Sequence, residues 1–475
     1  MIQAAQAAVV VRNPKRYWVF LTVAMALFMT SVDNTSVAVA LRNLSTSLDT
    51  SVLLAGWALT AYQLMQAVAM PIAGSLSGVF GPRRVFMGGV ILFSIGALLS
   101  SIAPNIWFLI IFRFFEGLGG GAVLPSAAGI VGEEFKEERA KYIGLFTSIF
   151  PIGGLLGPNL GGLLLQFGSW RYIFIINTPV GAALLVMAFI FLRGKPAPSG
   201  KRISIDYLGA AFFGASLLCA LTGLTFLGHN LQDWSAPYIW VLFGGSVSFM
   251  VAFIRQEMRA ASPLLDLRLL SYWRFVIINF HNFLLGMMAF GTFAFYPLYA
   301  HYVYNFSDLL SGFSITPRAA AVITASAITS LFLFRYGYRI LIAGGTVILA
   351  LAFLFLGRGY HDPSLAGWVV PDLALVSFGS ALTGLGLGIV APSSNNAGLE
   401  LMPDKVAAIV GLRGMFRSIG SVIGTTIMLV VLAASPTEAA GLKFMFTVYG
   451  IVMLVLLPLV FGLPNRGAKP LGKGK

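Results

Sequence analysis

Three ionisable side chains lie inside apolar stretches of this sequence, where a charged group is energetically unfavourable. Asp33 lies in the run 17–41, and Arg113 and Glu116 lie in the run 106–131. A charge in the middle of a membrane helix costs at least about 2.5–3.5 kcal/mol on insertion scales, so such residues are functional by default. A carboxyl group in a low-dielectric site resists ionisation and can exchange a proton. We assign Asp33, Glu116 and Arg113 to proton coupling, with Asp33 as the first candidate.

Each of these residues also has a structural explanation. Glu116 follows Arg113 by three positions and shares a helix face with it, so the two could form a pair that only neutralises itself. Asp33 could be a helix-end carboxylate, solvated in the headgroup region near Arg42. Because mostly apolar residues separate Asp33 from the following loop, a buried position is favoured. For Glu116 the coupling and structural roles both remain open.

The stretch GGLLGPNLGG, residues 153–162, places five glycines and a proline inside another apolar run. Gly153, Gly157 and Gly161 recur at intervals of four and therefore lie on one helix face. Without Cβ atoms, that face lets a second helix backbone approach closely. Pro158 removes one backbone donor and bends or loosens the turn. The pattern predicts a smooth face on a helix that slides or rocks against the opposite half of the protein, or a static packing contact.

The elements that carry these residues must be membrane helices. The chain has 475 residues, of which 58% are hydrophobic and only 10% charged, and its mean hydropathy is +0.87. Soluble domains carry about 25% charged residues, so this chain lacks the polar surface for a soluble fold. Its apolar runs approach the roughly 20 residues that a helix needs to cross hydrocarbon. A barrel is excluded, because barrel strands are short and alternate apolar with polar residues. We predict an all-α polytopic membrane protein.

The basic residues behind the net charge of +14 are unevenly distributed between the loops on the two sides of the membrane. Most basic residues fall in the tails and in one alternate set of loops: Arg12, Lys15, Arg16, Arg83, Arg84, Lys136, Arg139, Lys141, Arg193, Lys195, Lys201, Arg202, Arg255, Arg259, Arg335, Arg339 and the tail to Lys475. The opposite loops hold only Arg42, Arg171, Arg358 and Lys443. This positive-inside bias predicts a multi-pass protein of the cell inner membrane with both termini in the cytoplasm. It also removes the reason to expect a nucleic-acid partner.

About fourteen spans are predicted from the runs and the loops between them. Their approximate limits are 17–41, 53–76, 84–104, 106–131, 140–165, 170–193, 204–228, 236–255, 273–300, 307–333, 338–357, 366–391, 406–433 and 441–463.

The chain also repeats itself. FGPRRVFMGG at 80–89 matches YGYRILIAGG at 336–345, and GLGGGAVLPS at 117–126 matches GLGLGIVAPS at 384–393. Two six-span halves in parallel order therefore flank two unduplicated helices. Secondary transporters are commonly built from such halves, with the substrate held between them near the membrane midplane. The predicted segments are a cytoplasmic tail (1–16), a six-helix bundle (17–193), a linker with inserted helices 7 and 8 (194–272), a second six-helix bundle (273–463) and a basic cytoplasmic tail (464–475).

At this point the segments resemble those of a known family. GSLSGVFGPRR (74–84), SVDNTSVAVAL (31–41), FRFFEGLGGG (112–121), GGLLGPNLGG, WRYIFIINTPVG (170–181) and SPLLDLRLL (262–270) are similar to segments of the major facilitator superfamily. The chain is most similar to its fourteen-span drug:proton antiporter branch, the EmrB/QacA-type multidrug exporters. The resemblance covers nearly the whole chain and implies two six-helix bundles plus two inserted helices.

The resemblance assigns roles to two further groups. It implies an antiporter motif formed by Gly153, Gly157, Pro158, Gly161 and Gly162, and an inner gate formed by Gly74, Gly81, Arg83, Arg84 and Arg339. The chain departs from the family in two places. Gly78 stands where the loop motif usually has an acid, and Glu116 stands where the family usually has an amide. A gate salt bridge that depends on an acid at position 78 is therefore not expected.

A substrate cavity is predicted from polar and aromatic residues of three spans. The candidates are Thr60, Tyr62, Gln63 and Gln66 on span 2, His281, Asn282 and Phe293 on span 9, and Arg417 on span 13. Aromatic and methionine-rich walls suit varied apolar ligands. Arg318, directly after Pro317, is either a further intramembrane arginine or a residue that snorkels to the interface.

No enzyme is expected, and neither a cofactor nor a metal site. The sequence lacks a phosphate-binding GxxxxGK[ST] loop, and its Cys and His residues are too scattered to form a metal site. The prediction is a proton-coupled exporter of amphipathic, often cationic, drugs or toxic compounds by alternating access, conferring antibiotic resistance. A dedicated metabolite, lipid or siderophore exporter is the alternative, and a receptor or channel is a third. The expected partners are the small-molecule substrate, protons and membrane lipid, and the resemblance raises a periplasmic adaptor and an outer-membrane channel.

Overall fold

The computed structural model is predominantly helical over its described residues, with one pair of two-residue strands, so the predicted all-α polytopic fold is confirmed. It describes residues 15–136, 142, 145–146, 149–192, 206–229, 236–260, 271–365, 368–401 and 406–463. Most of the two predicted tails and the linker segments 193–205 and 261–270 lie outside the described residues.

The first half of the chain contains nine helices among the described residues. They are α1 (Lys15–Val39), α2 (Leu41–Ser47), α3 (Val52–Ala55), α4 (Trp57–Phe80), α5 (Pro82–Ser101), α6 (Ile106–Glu134), α7 (Ile149–Leu165), α8 (Arg171–Ile175) and α9 (Asn177–Phe191). Two further helices follow, α10 (Tyr207–His229) and α11 (Pro237–Arg259).

The second half begins with α12 (Trp273–Leu285), which continues through a π turn (Gly286–Phe290) and a 3-10 turn (Phe293–Phe295). The later elements are α13 (Tyr296–Tyr304), α14 (Asp308–Phe313), α15 (Thr316–Tyr336), α16 (Tyr338–Arg358), β1 (Ser364–Leu365), β2 (Trp368–Val369), α17 (Asp372–Leu401), α18 (Val406–Ala434), α19 (Glu438–Val455) and a 3-10 helix (Leu457–Gly462). The two strands pair antiparallel.

Local sequence explains several of the helix ends. Asn105 accepts hydrogen bonds from the amides of Trp107 and Phe108 and so caps α6. Ser307 and Thr437 cap α14 and α19 in the same way. These caps satisfy amides that have no partner within the helix.

Twelve segments of the described residues are long and apolar enough to cross a membrane. They are Lys15–Val39, Val52–Phe80, Pro82–Ser101, Ile106–Glu134, Arg171–Phe191, Tyr207–Leu227, Pro237–Arg259, Trp273–Phe290, Tyr338–Arg358, Asp372–Gly398, Leu412–Ala434 and Glu438–Val455. The two other predicted spans fall on α7 and α15, which are helical as well. The count of fourteen spans stays a prediction.

The two halves repeat the same helix contacts through glycines. In the first half, Gly117 of α6 lies against the backbone of Tyr62 of α4, where an added Cβ would clash. In the second half, Gly384 of α17 lies in the same way against the backbone of Arg318 of α15. Both pairs occupy matching positions of the sequence repeat. Two further matched pairs are Gly119 on Phe93 with Gly386 on Leu349, and Gly121 on Gln66 with Gly388 on Val322.

The halves meet along α4 and α18 and along α7, α14 and α15. The inserted helices α10 and α11 pack chiefly on each other, and Ser216 donates a 2.8 Å hydrogen bond to the carbonyl of Ser246. Helix α10 also lies against α4 and α18, where the indole of Trp57 donates to Thr225 at 3.1 Å. The inserted pair therefore lies at the seam between the halves.

Candidate functional site

Asp33, Arg113 and Glu116 form one buried charge network. Nη1 of Arg113 lies 2.7 Å from Oδ2 of Asp33 and 2.9 Å from Oε2 of Glu116. All three residues are at most 1% exposed. The structure brings together the three residues predicted for proton coupling, from α1 and α6. Asp33 is paired with Arg113 rather than with the exposed Arg42, so the headgroup explanation for Asp33 is wrong.

Neighbouring side chains hold the network in place. Nε of Arg113 donates to the carbonyl of Ala58 at 2.8 Å, and its guanidinium carbon lies 4.2 Å from the ring centroid of Tyr62. Asn177 donates to Oδ1 of Asp33 at 2.8 Å, and Ser100 donates to Oε2 of Glu116 at 3.2 Å. Sequence reasoning missed Asn177 and Ser100. Both are polar residues inside apolar runs, and that signal could have singled them out.

The network holds one more acidic group than basic groups. A buried charge without a partner is strongly destabilising, so the cluster is electrically neutral only when one carboxyl group carries a proton. Asp33 receives a donor on each oxygen, from Arg113 and Asn177. Oε1 of Glu116 has no hydrogen-bond partner. The two carboxyl groups are therefore not equivalent, because both oxygens of Asp33 accept a hydrogen bond and one oxygen of Glu116 accepts none.

The glycine face of α7 packs against α1, within the same half. An added Cβ on Gly153 would lie 2.6 Å from Cβ of Ser31, and one on Gly161 would lie 2.9 Å from the carbonyl oxygen of Ser36. At Gly157 it would collide with the hydroxyl of Thr35. The three glycines were expected to face the opposite half of the protein, but they face α1 of their own half. Helical spacing identifies which residues share a face, and it does not identify the helix that packs against that face.

The other residues of the antiporter motif face the second half. A Cβ on Gly162 would lie 3.0 Å from the carbonyl oxygen of Asp308, and a Cβ on Gly312 would lie 2.8 Å from that of Pro158. Next to them, Asn159 donates to Thr316 at 3.0 Å. Helix α7 therefore joins the two halves at the ends of α14 and α15 that lie away from the basic loops.

The predicted inner-gate residues lie at the basic loops. Gly81 has φ +84° and its repeat counterpart Gly337 has φ +76°, a region that favours glycine. Arg83 forms a 3.2 Å ion pair with Glu134 of α6, and Arg84 is exposed. Arg339 donates to the carbonyl of Leu463 at 2.7 Å, while Gly74 has open space where a Cβ would be. Arg83 is therefore paired with a carboxylate from α6, while position 78 holds a glycine.

A cavity lies between the halves. It contains about 1050 Å³ of space not occupied by protein atoms, including its open mouth. Its lining comes from α1, α4, α7, the turns after α12, α15, α17 and α18: Asn34, Thr35, Gln63, Gln66, Met70, Phe150, Gly154, Phe290, Phe293, Arg318, Ala319, Val322, Ser326, Leu387, Ala391, Arg417, Ser418 and Ser421.

Four of the predicted cavity residues line it, namely Gln63, Gln66, Phe293 and Arg417. The other four lie outside its lining. Thr60 is buried, and Tyr62 stacks on Arg113. Asn282 donates to the carbonyl of Arg413, and His281 lies beside it on α12. On a helix only one face reaches a cavity, and the sequence does not indicate which polar residue is on that face.

Arg318 does not snorkel to the interface. It is 1% exposed and lines the cavity. Its guanidinium carbon lies 4.3 Å from the ring centroid of Phe293 and 4.6 Å from that of Tyr296. The position of an arginine within a predicted span indicates a buried role, and the snorkelling alternative suggested by the adjacent Pro317 is wrong.

Comparison with known proteins identifies a family whose members are similar to this chain over most of its length. The model of the Major Facilitator Superfamily matches residues 21–425. The chain is 31% identical to multidrug resistance protein 3 of Bacillus subtilis over 415 residues, which cover 86% of the chain and 78% of that protein. It is 31% identical over 415 residues to a multidrug resistance protein B homolog of Mycobacterium tuberculosis, with 86% and 74% covered. It is 26% identical to the methylenomycin A resistance protein of Bacillus subtilis over 444 residues, with 91% of each chain covered.

Proposed function

Because this chain belongs to the major facilitator superfamily, we propose that it is a proton-coupled exporter of the fourteen-span drug:proton antiporter branch. The chain is a multi-pass membrane transporter of the drug-efflux type. Our proposal concerns the coupling ion, the number of membrane spans and the residues that carry out coupling and substrate binding.

The observation that carries proton coupling is the charge network. Two carboxyl groups share Nη1 of Arg113, and Oε1 of Glu116 has no partner. The cluster is therefore poised between a neutral form with one proton and a form with one negative charge in excess. A group that gains and loses a proton as its surroundings change is what antiport requires. Inward movement of each proton gains about 2.3 kcal/mol per 100 mV of membrane potential.

Helix α1 connects the network to the cavity. Asp33 points to Arg113, while the adjacent Asn34 and Thr35 line the cavity. Ser36 of the same helix donates to the carbonyl of Gly157 at 2.8 Å, so α1 is also fixed to α7. We infer that deprotonation strengthens the attraction of the carboxylates for Arg113 and shifts α1, and that substrate in the cavity acts on the opposite face of the same helix.

Alternating access requires contacts between the halves that can break. Gly162 and Pro158 of α7 meet α14 on the side away from the basic loops, and Leu429 of α18 covers Gly56 there. These contacts join the two halves on that side of the protein. Opening it calls for α7 to separate from α14, while the ion pair between Arg83 and Glu134 supports the gate region at the basic loops.

Orientation and partners follow from the charge distribution and the resemblance. We propose the cell inner membrane with both chain ends in the cytoplasm, because the basic residues favour that side. A periplasmic adaptor and an outer-membrane channel remain predictions.

A resistance and accumulation panel in an efflux-deficient host tests the function. Expression of the chain is expected to lower accumulation of several unrelated amphipathic compounds, and an uncoupler should abolish the effect. Asp33→Asn should remove it, while Glu438→Gln, which neutralises an exposed acid of α19, should not. Protection against one compound only would favour a dedicated metabolite, lipid or siderophore exporter. Efflux that persists with the uncoupler would contradict proton coupling.

A further inference from the structure

We propose that the central cavity binds anionic amphiphiles, such as carboxylates, sulfonates or acidic phenols with an aromatic body, through Arg318 and Arg417. The inference rests on the proposed function, because it names the substrate class of that exporter. It reverses the charge of the substrates expected from the sequence, which were often cationic.

Arg318 is a buried cation with unused donors. Its Nη2 donates to the carbonyl of Ala289 at 3.0 Å, but Nε and Nη1 have no hydrogen-bond partner. Buried polar donors without partners are costly, and the stacked rings of Phe293 and Tyr296 compensate only part of the charge. A guanidinium offers a fork of N–H groups that matches a carboxylate or sulfonate in two parallel hydrogen bonds. An anion in the cavity would complete this site.

Arg417 supplies a second cation from a different helix. It lines the same cavity from α18, and its guanidinium carbon lies 5.0 Å from the ring centroid of Phe290 and 5.8 Å from that of Phe150. One turn earlier, Arg413 is 3% exposed and leaves Nε and Nη1 without partners. None of the ion pairs among the described residues involves Arg318, Arg413 or Arg417.

No acidic residue is among the described residues that line this cavity. Asp33 and Glu116 are turned into the network around Arg113, and neither belongs to the cavity lining. The polar residues contributed by the first half are neutral amides and a hydroxyl: Asn34, Gln63, Gln66 and Thr35. Two guanidinium groups without a carboxylate in the described lining attract an anion and repel a cation, and the low-dielectric surroundings strengthen both effects.

The remaining walls fit an apolar body. Phe150, Phe290, Phe293, Met70 and Leu387 line the cavity beside the arginines. Pockets that combine apolar walls with a few placed polar groups hold amphipathic ligands in a defined orientation. Binding by rings and methionine tolerates variation in the body, whereas the arginines fix the sign of the charge.

Anion export also changes the electrical balance of the transport cycle. Exchange of one inward proton for one outward monoanion moves two elementary charges in the direction that an inside-negative potential favours. Exchange of one proton for one outward monovalent cation moves none. Export of the anion should therefore accelerate with membrane potential at zero pH gradient, and export of a cation at that stoichiometry should not.

Tetraphenylborate and tetraphenylphosphonium test the charge preference of the cavity directly, because they share size and shape, differ in charge and carry no hydrogen-bond acceptor. Binding of each ion to the full-length protein in lipid nanodiscs is measured against empty nanodiscs, which removes partition into lipid. We expect tetraphenylborate to bind at least about tenfold more tightly than tetraphenylphosphonium, since one satisfied charge interaction of about 1.4 kcal/mol corresponds to a factor of ten. Arg318→Gln and Arg417→Gln should each weaken borate binding about tenfold.

Two controls keep the result interpretable. Arg335→Gln removes the same charge from the exposed end of α15 and should leave borate binding unchanged. Arg318→Lys keeps a cation and should retain more borate binding than Arg318→Gln, which separates lost charge from a disturbed fold. Tighter binding of the phosphonium by the wild type, or borate binding unaffected by both glutamine variants, would overturn the anion assignment and leave proton-driven export untouched. Borate selectivity combined with efflux that ignores an uncoupler would instead overturn the coupling proposal alone.

Discussion

At the scale of single residues, the network around Arg113 explains why three charges are retained inside the membrane region. Each of them is costly alone, and together they leave a net excess of one carboxylate. Asp33 has a donor on both oxygens and Glu116 lacks one on Oε1. The two acids are therefore not equivalent, and we expect their neutral substitutes to fail in different ways.

Asp33→Asn should abolish gradient-driven efflux while the protein still folds. The amide keeps the size of the side chain but removes the anion that fixes Arg113 to α1. Glu116 can then neutralise Arg113 as a permanent pair, and the proton site is lost. Efflux of a fluorescent substrate from energised cells measures this, with membrane levels of the protein as the control. Unchanged uphill efflux by Asp33→Asn would refute its assignment.

The pair Arg83–Glu134 yields a second prediction at this scale. Both side chains are partly exposed, at 20% and 28%, and such pairs contribute about 0.2–1 kcal/mol. Arg83→Glu should therefore lower the transport rate only severalfold. The reversed pair, Arg83→Glu with Glu134→Arg, should recover part of the loss when rates are compared at equal expression. No recovery in the double variant would show that Arg83 acts through another contact.

At the scale of elements, α1 is the helix that the rest of the site is built around. One face carries Asp33 toward α6, a second lies on the glycine face of α7, and Asn34 lines the cavity. Small residues on both sides of the contact let α1 and α7 approach through Ser31 and Gly153. A bulky side chain in that contact should separate the two helices.

Gly157→Leu should abolish transport while expression is largely retained. The added side chain would collide with Thr35 and displace the hydrogen bond from Ser36 to the carbonyl of Gly157. Gly88→Leu is the matched control, because Gly88 of α5 is exposed and has nothing within reach of an added Cβ. Efflux assays at equal membrane levels compare the two variants. Near-normal efflux by Gly157→Leu would mean that the close contact between α1 and α7 is dispensable.

What the sequence can predict differs between elements and contacts. Hydropathy indicates where the helices lie, and charges in apolar runs identify Asp33 and Arg113, because both signals are local. The partner of a residue is not local. Asn177 reaches Asp33 from a distant helix, and the glycine face of α7 meets α1 rather than the second half. The role of Arg318 depends on the position of α15 relative to the cavity, and the periodicity of the sequence does not indicate that position.

At the scale of the whole molecule, the sequence repeat produces two helix bundles with similar packing but different functional side chains at matching positions. Tyr62 and Arg318 occupy matching positions against Gly117 and Gly384. In the first half this position stacks a ring on Arg113, and in the second half it places a cation in the cavity. We infer that the first half holds the proton site, whereas both halves line the cavity and the second half supplies its two arginines. We consider this asymmetry the source of coupled, directional transport.

The fourteen-span topology depends on α7 and α15 crossing the membrane. Single cysteines, introduced after Cys219→Ala, should be labelled from outside at Phe167, just after α7, and at Phe313, the last residue of α14 before α15 begins; both positions are exposed. Cysteines at Met258 and Tyr336 should be labelled only from the cytoplasmic side. Labelling of positions 313 and 336 from the same side would contradict a crossing by α15 and with it the fourteen-span arrangement.

The central claim, that the network couples protons to export, is tested most directly in proteoliposomes with the purified protein. Substrate movement is measured twice, once as exchange at equilibrium and once as uphill transport driven by an imposed pH gradient. We expect the wild type to perform both. Glu116→Gln should retain exchange, because the cavity is intact, but lose the response to the gradient, because its proton site is gone. Gradient-driven transport by Glu116→Gln at the wild-type rate would contradict the account.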